Sequence, residues 1–244
     1  VQVILLLLDR RKLAAATTIE NKIACKKFKK NCSFGLQQAE LGNEERILGL
    51  LRDRSIDYPR ATQALQQLER LFGTRRRERM PCLLLHGDSN IGKTRITAKF
   101  RRAHPNEFDE RSGVERCPVI AMQMPPTPDQ HRFYSGLLFE LGAPHNAAAG
   151  LASLERLARE SLKRVSPRML VVDEVHHLLA GSYRERRASL NLLKFLANDL
   201  QISMVLVGTR DAVLALQTDT QMIGVPSRNG FFRTLRWRKR SDWP

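Results

Sequence analysis

Gly87-Asp88-Ser89-Asn90-Ile91-Gly92-Lys93-Thr94 has the form G-x-x-x-x-G-K-[ST]. The chemistry of that spacing is phosphate binding. Glycines let the backbone turn tightly, so successive N–H groups face inward around a phosphate at a helix N-terminus. Lys93 is expected to offer a cation to the β- and γ-phosphates of ATP, and the Thr94 hydroxyl to coordinate Mg2+. With four positions fixed, a chance match in a chain of this size is on the order of 1%. The expected context is present too: an apolar strand, Cys82–His86, precedes the loop, and a helix opens at Gly92–Thr94 and runs to about Arg102.

Met169-Leu170-Val171-Val172-Asp173-Glu174 supplies the opposite charge. Two carboxylates ending a buried strand are costly unless they face a cation or water. Asp173 suits the Mg2+ shell, and Glu174 suits a general base that polarises the water attacking the γ-phosphate. Alone this run is a weak signal; 80 residues after Lys93, with a strand and helices between, it completes a pair. Thr209 follows the strand Ser203–Gly208 and either positions the same water or caps the next helix. His176 and His177 are expected in a helical turn without a ligand, since no Cys or further His falls at metal-ligand spacing. Three basic clusters, Arg75–Arg79, Lys163–Arg168 and Arg184–Arg187, are either solvated helix ends or contacts to nucleic-acid phosphates.

The elements that position these groups alternate. Helices are expected at Glu44–Arg52, Arg60–Phe72, Pro128–Gly142, Leu151–Val165, Tyr183–Leu200 and Asp211–Leu216, and strands at Cys82–His86, Val119–Met124, Met169–Val172 and Ser203–Val207. His104–Pro118 reads as a loop. Short, nearly continuous apolar strands between helices imply a parallel sheet covered on both faces, with ligands at the carboxyl ends of the strands.

Composition bounds the partners. The 244 residues carry a formal charge of +16, which favours polyanions, nucleic acid above all. Residues 1–42 hold eight Lys/Arg against three Asp/Glu, and residues 222–244 six against one, so both ends differ from the centre. Cys25, Cys32, Cys82 and Cys117 form no metal or disulfide framework, which fits a reducing cytoplasm. The apolar run Val3–Leu8 is far shorter than the ~20 residues that span a bilayer, so no membrane partner is expected.

Asp57-Tyr58-Pro59-Arg60, Met80–Thr94, His104-Pro105, Gln123-Met124-Pro125-Pro126, Leu141-Gly142-Ala143-Pro144, Asp173–Gly181 and Leu193–Thr220 together resemble the TniB family of bacterial transposition ATPases, AAA+ proteins related to TnsC. The resemblance covers residues 43–221. It implies an AAA+ P-loop NTPase sandwich with a five-stranded parallel sheet. Gly87–Thr94 would be Walker A, Asp173–Glu174 Walker B and Thr209 sensor 1, with Tyr58–Arg60 near the adenine. It also implies ATP-driven self-association as an AAA+ oligomer on duplex DNA, without sequence preference, and recruitment of a DDE-type transposase.

The ends depart from that pattern. Residues 1–42 are expected to be a poorly ordered basic extension. Residues 222–244 are expected to be an aberrant tail in place of the last strand and helical lid, without the family's arginine finger; Arg228 stands near its place in the wrong context. A frameshift would account for Arg233–Arg236, and resequencing the gene tests that. Two rival functions stay open: a truncated nucleotide-binding remnant without turnover, and a monomeric P-loop kinase with an acceptor pocket.

Overall fold

The computed structural model describes residues 42, 59–111, 113–146, 148–217 and 232–237. The chain divides into two units, Val1–Ser55 and Ile56–Pro244. Of the first only Gly42 is described, so the helix expected at Glu44–Arg52 and the basic extension lie outside the described residues.

In the second unit, helix α1 (Pro59–Phe72) precedes strand β1 (Cys82–Gly87) and helix α2 (Lys93–Ala103). A hairpin of β2 (Glu107–Asp109) and β3 (Val114–Arg116) leads into β4 (Val119–Gln123). Helices α3 (Gln130–Glu140) and α4 (Leu151–Val165), strand β5 (Met169–Asp173) and a 3-10 turn (Val175–Ala180) follow. Helix α5 (Tyr183–Asp199), β6 (Ser203–Gly208), α6 (Ala212–Gln217) and β7 (Phe232–Trp237) complete the described elements.

The main sheet has the order β4-β5-β6-β1-β7, every neighbouring pair parallel. Alternation along the strands explains the layers. In β1, Leu83 and Leu85 pack with Val205 and Val207 of β6 against α1 and α2, whose Ala64, Leu68, Ile96 and Phe100 are buried there. The intervening Cys82 and Leu84 face the other way, toward the buried Leu137 of α3, Leu162 of α4 and Leu193 of α5. Each fully buried leucine gains roughly 1.5–3 kcal/mol over exposure, so both faces must be covered. Among the described residues no helix is long and apolar enough to cross a membrane.

Four expectations change. The segment His104–Pro118 holds the β2–β3 hairpin, antiparallel with Glu107 opposite Arg116; its strands are only three residues each, too short to show alternation. Helix α3 begins at Gln130, not Pro128, because the Asp129 side chain accepts the His131 N–H and so caps it. Spacing along α1 puts Ala61, Leu65, Leu68 and Phe72 on one apolar face, but that stripe is rotated: Ala61, Ala64, Leu68 and Leu71 are buried, while Leu65 and Phe72 sit at its margin. Most consequential, the segment expected to stand in place of a last strand contains one, with Cys82–Gly87 of β1 pairing in register with Phe232–Trp237. The arginines of that strand hid it from a reading based on apolar runs. The remainder of 222–244 lies outside the described residues.

Candidate functional site

The phosphate loop leaves β1 at Gly87 and re-enters helix at Lys93. Asn90 (φ 60°) and Gly92 (φ 89°) turn the chain through left-handed backbone, which glycine adopts freely and asparagine tolerates. Lys93 is 8% exposed. Its Nζ donates to Gly87 O (3.1 Å) and Asp88 O (2.6 Å). Burial pushes the ammonium pKa below its ordinary value, and the carboxylates of Asp173, Glu174 and Asp88, in that order, pull it back up.

Asp173 closes β5 beside this loop and is also 8% exposed. Its Oδ2 accepts from Thr94 Oγ1 at 2.7 Å, and its Oδ1 accepts from the Glu174 N–H at 2.8 Å. The hydroxyl and carboxylate oxygens therefore stand about as far apart as adjacent corners of an octahedral Mg2+ shell, ~3 Å for bonds of ~2.1 Å. The residues present fit that ion.

Glu174 leaves the strand with φ 56°, a conformation uncommon for a side-chain-bearing residue and concentrated at functional sites. The turn throws its carboxylate out of the sheet, to a side chain 41% exposed with Oε2 3.1 Å from His176 Nδ1. His176 and His177 do occupy a single helical turn, the 3-10 segment. The Nδ1 of His177 lies 3.0 Å from Met124 O, tying that turn to the end of β4. Ligand atoms of Glu174, His176 and His177 lie within 4.8 Å of one another, a gathering that spacing alone did not suggest.

Thr209 follows β6, the strand between β5 and β1. Its Oγ1 is shielded from solvent and has no hydrogen-bond partner among the described residues. Its carbonyl, not its hydroxyl, receives the Ala212 N–H at 3.2 Å. The side chain therefore does not cap α6. Gly208 makes the turn possible, because a Cβ there would stand 2.8 Å from that of Ala212. Arg210, given no role by the sequence, forms a two-point ion pair with Asp88 of the phosphate loop: Nη2 to Oδ2 at 2.9 Å, and Nε to Oδ1. The signal was adjacency, since His86 and Gly208 are register partners on parallel strands that end together.

Two basic clusters meet. Arg76 Nη2 donates to Ser166 Oγ (2.9 Å) and Pro167 O (3.2 Å), and the Arg168 guanidinium lies 5.2 Å over the Phe72 ring. Arg75–Arg79 and Lys163–Arg168 thus share the amino edge of the sheet, just before β1 and β5. The third cluster, Arg184–Arg187, starts α5 beyond the carboxyl end of β5. Tyr58, expected near the adenine, lies outside the described residues; Arg60 Nη1 donates to Gln63 Oε1 at 3.1 Å.

A five-stranded parallel sheet, with a phosphate loop after one strand and an acidic strand end two places away, defines a P-loop protein of the AAA+ class. The DNA-bound Orc1 protein of Aeropyrum pernix shares the fold, with a TM-score of 0.51 at 18% identity over 75% of this chain and 46% of that one. The chain belongs to the TniB family: residues 46–238 match the family described as bacterial TniB protein. That match runs through β7 and past residue 221. Cdc6p of Pyrobaculum aerophilum aligns with a TM-score of 0.48 at 19% identity, over 67% of this chain and 42% of that one. A Walker-type ATPase of Pyrococcus abyssi also gives 0.48, at 14% identity, over 78% of this chain and 58% of that one. The matched part of this chain spans less than two thirds of each of these three proteins. No curated protein sequence matches it.

Proposed function

We propose that this protein is an ATP-hydrolysing transposition protein that assembles as an AAA+ oligomer on duplex DNA and engages a DDE-type transposase. The observation that carries the ATPase reading is the contact of Thr94 with Asp173, which brings the two halves of the motif pair together within reach of Lys93 and Glu174. Mg2+, held by Thr94 and Asp173, would neutralise charge on the β- and γ-phosphates. The backbone of Gly87, Asp88, Ser89, Asn90, Ile91 and Gly92 would cradle the phosphates, and Lys93 would swing from its loop carbonyls onto them. Glu174 would take the proton of the attacking water, and Thr209, whose hydroxyl has no protein partner among the described residues, would orient that water. An arginine from a neighbouring subunit would complete the site; Arg228, nearest the expected finger position, lies outside the described residues.

DNA association is supported by the +16 charge, by the basic clusters joined at the amino edge, and by the DNA complex of the Orc1 relative. The TniB family match is what supports the transposase part of the reading.

The test is ATP hydrolysis by the purified protein with and without duplex DNA, at low and moderate salt, beside Glu174→Gln and Lys93→Ala. Turnover stimulated by DNA, reduced by 10²-fold or more in Glu174→Gln, is the expected result. Retained ATP binding with no turnover, abolished in Lys93→Ala, would instead identify a non-hydrolysing nucleotide-binding protein.

A further inference from the structure

We propose that the Asp88–Arg210 ion pair is a positioning device that couples the state of the phosphate loop to the placement of Thr209. The inference rests on the ATPase reading above and assigns a role to Arg210.

Asp88 is held at two points by two different cations. Its carbonyl oxygen accepts from Lys93 Nζ at 2.6 Å, while its carboxylate is gripped by Arg210. Lys93 is the cation that must reach the β- and γ-phosphates, and Arg210 is covalently next to Thr209. One residue therefore links the group that meets the phosphates to the strand end carrying the shielded hydroxyl. When Lys93 turns to phosphate oxygens, the Asp88 carbonyl loses its donor and that peptide is free to rotate. The bidentate grip passes the rotation to Arg210. A planar guanidinium bound at two points transmits orientation as well as distance, which a single ammonium contact does not.

The turn at the far end is built to respond as a unit. No side chain fits at Gly208 without displacing Ala212, and the Ala212 and Val213 N–H groups bond back to Thr209 O and Arg210 O. Movement of Arg210 thus carries Thr209 with it. The pair is substantially solvent-exposed, at 51% for Arg210 and 24% for Asp88, so its contribution to global stability is small. Function and stability should separate.

The experiment compares Arg210→Ala, Arg210→Lys, Asp88→Asn and the Asp88→Asn/Arg210→Ala double variant with wild type. Hydrolysis, affinity for a fluorescent ATP analogue and thermal midpoint are measured on each. The expected result is a kcat about tenfold lower in Arg210→Ala with affinity within twofold and an unchanged midpoint. Arg210→Lys should recover part of the loss, and the double variant should be no worse than the poorer single one. Unchanged kcat in Arg210→Ala, or additive losses in the double variant, would overturn the coupling. Affinity falling in step with kcat would make Arg210 a nucleotide ligand instead and equally overturn it.

Hydrogen exchange supplies a readout that needs no turnover. ATP should change exchange at residues 209–213 in wild type but not in Arg210→Ala that still binds ATP. The same response in both overturns the proposal, whereas absence of wild-type hydrolysis alone overturns only the ATPase reading.

Discussion

Cys82 lies on β1 five residues before the phosphate loop begins and is 1% exposed. Burial pushes its thiol up to about 12, so at neutral pH it is neither charged nor reachable. Alkylation followed by peptide mass mapping should leave Cys82 unmodified in the folded protein and label it fully in denaturant. Labelling at comparable rates in both states would mean that β1 opens readily. At this scale the sequence was most informative where a residue's position is set by its own motif. The placement of Lys93 and Thr94 at the start of a helix was legible because their spacing encodes a strand, a turn and a helix that can be joined in few ways. An acidic end to an apolar strand put Asp173 and Glu174 on the same side of the sheet. Arg210 was not legible, because its partner is set by which strands become neighbours. The contact of His176 with Glu174 was hidden for a related reason: it depends on a left-handed Glu174, which no propensity forecasts.

Helix α5 starts with a reciprocal cap. The Ser182 hydroxyl accepts the Glu185 N–H, and the Glu185 carboxylate accepts the Ser182 N–H at 2.7 Å. Those bonds hold the Glu185 carboxyl below its ordinary pKa. Ser182→Ala should lower stability by ~1 kcal/mol, seen as a thermal midpoint about 2–4 °C lower. An unchanged midpoint would show that α5 is held by its buried face of Leu190, Leu193 and Leu196 alone. Helices were legible wherever an apolar stripe ran their full length, as in α4, whose Leu151–Val165 limits match expectation. Even there Leu151 is exposed, since it sits in the first turn before the helix meets the sheet. β2 and β3 were missed because their pairing buries nothing: Phe108 is 66% exposed. β7 was missed because arginine-rich sequence at the sheet edge lacks the apolar continuity that reveals a central strand.

At the scale of the whole molecule, the buried Cys82 and Tyr134, among the described residues, set an alkaline limit. Burial pushes Cys82 from 9.0, and burial with the nearby Glu155 and Asp199 carboxylates pushes Tyr134 from 10.0, each to about 12. Folded protein keeps these protons after the unfolded chain has lost them. The associated stability is complete below pH about 9 and is lost as pH rises toward 12. Thermal scans from pH 8 to 11 should show a falling midpoint, with a shallower decline in Tyr134→Phe; equal slopes would remove Tyr134 from the cause. The parallel, doubly covered sheet was legible at this scale because apolar strands and helices alternate, but its order was not, since adjacency is decided by long crossovers. That order has a consequence in time. β1 is the first strand of the sheet to be translated, yet its two neighbours are β6 and β7, completed only at residues 208 and 237. During synthesis the strand that launches the phosphate loop must wait, unpaired, while more than a hundred residues emerge. The nascent chain therefore carries an apolar, unzipped segment throughout that interval, and a chaperone that shields it has time in which to act.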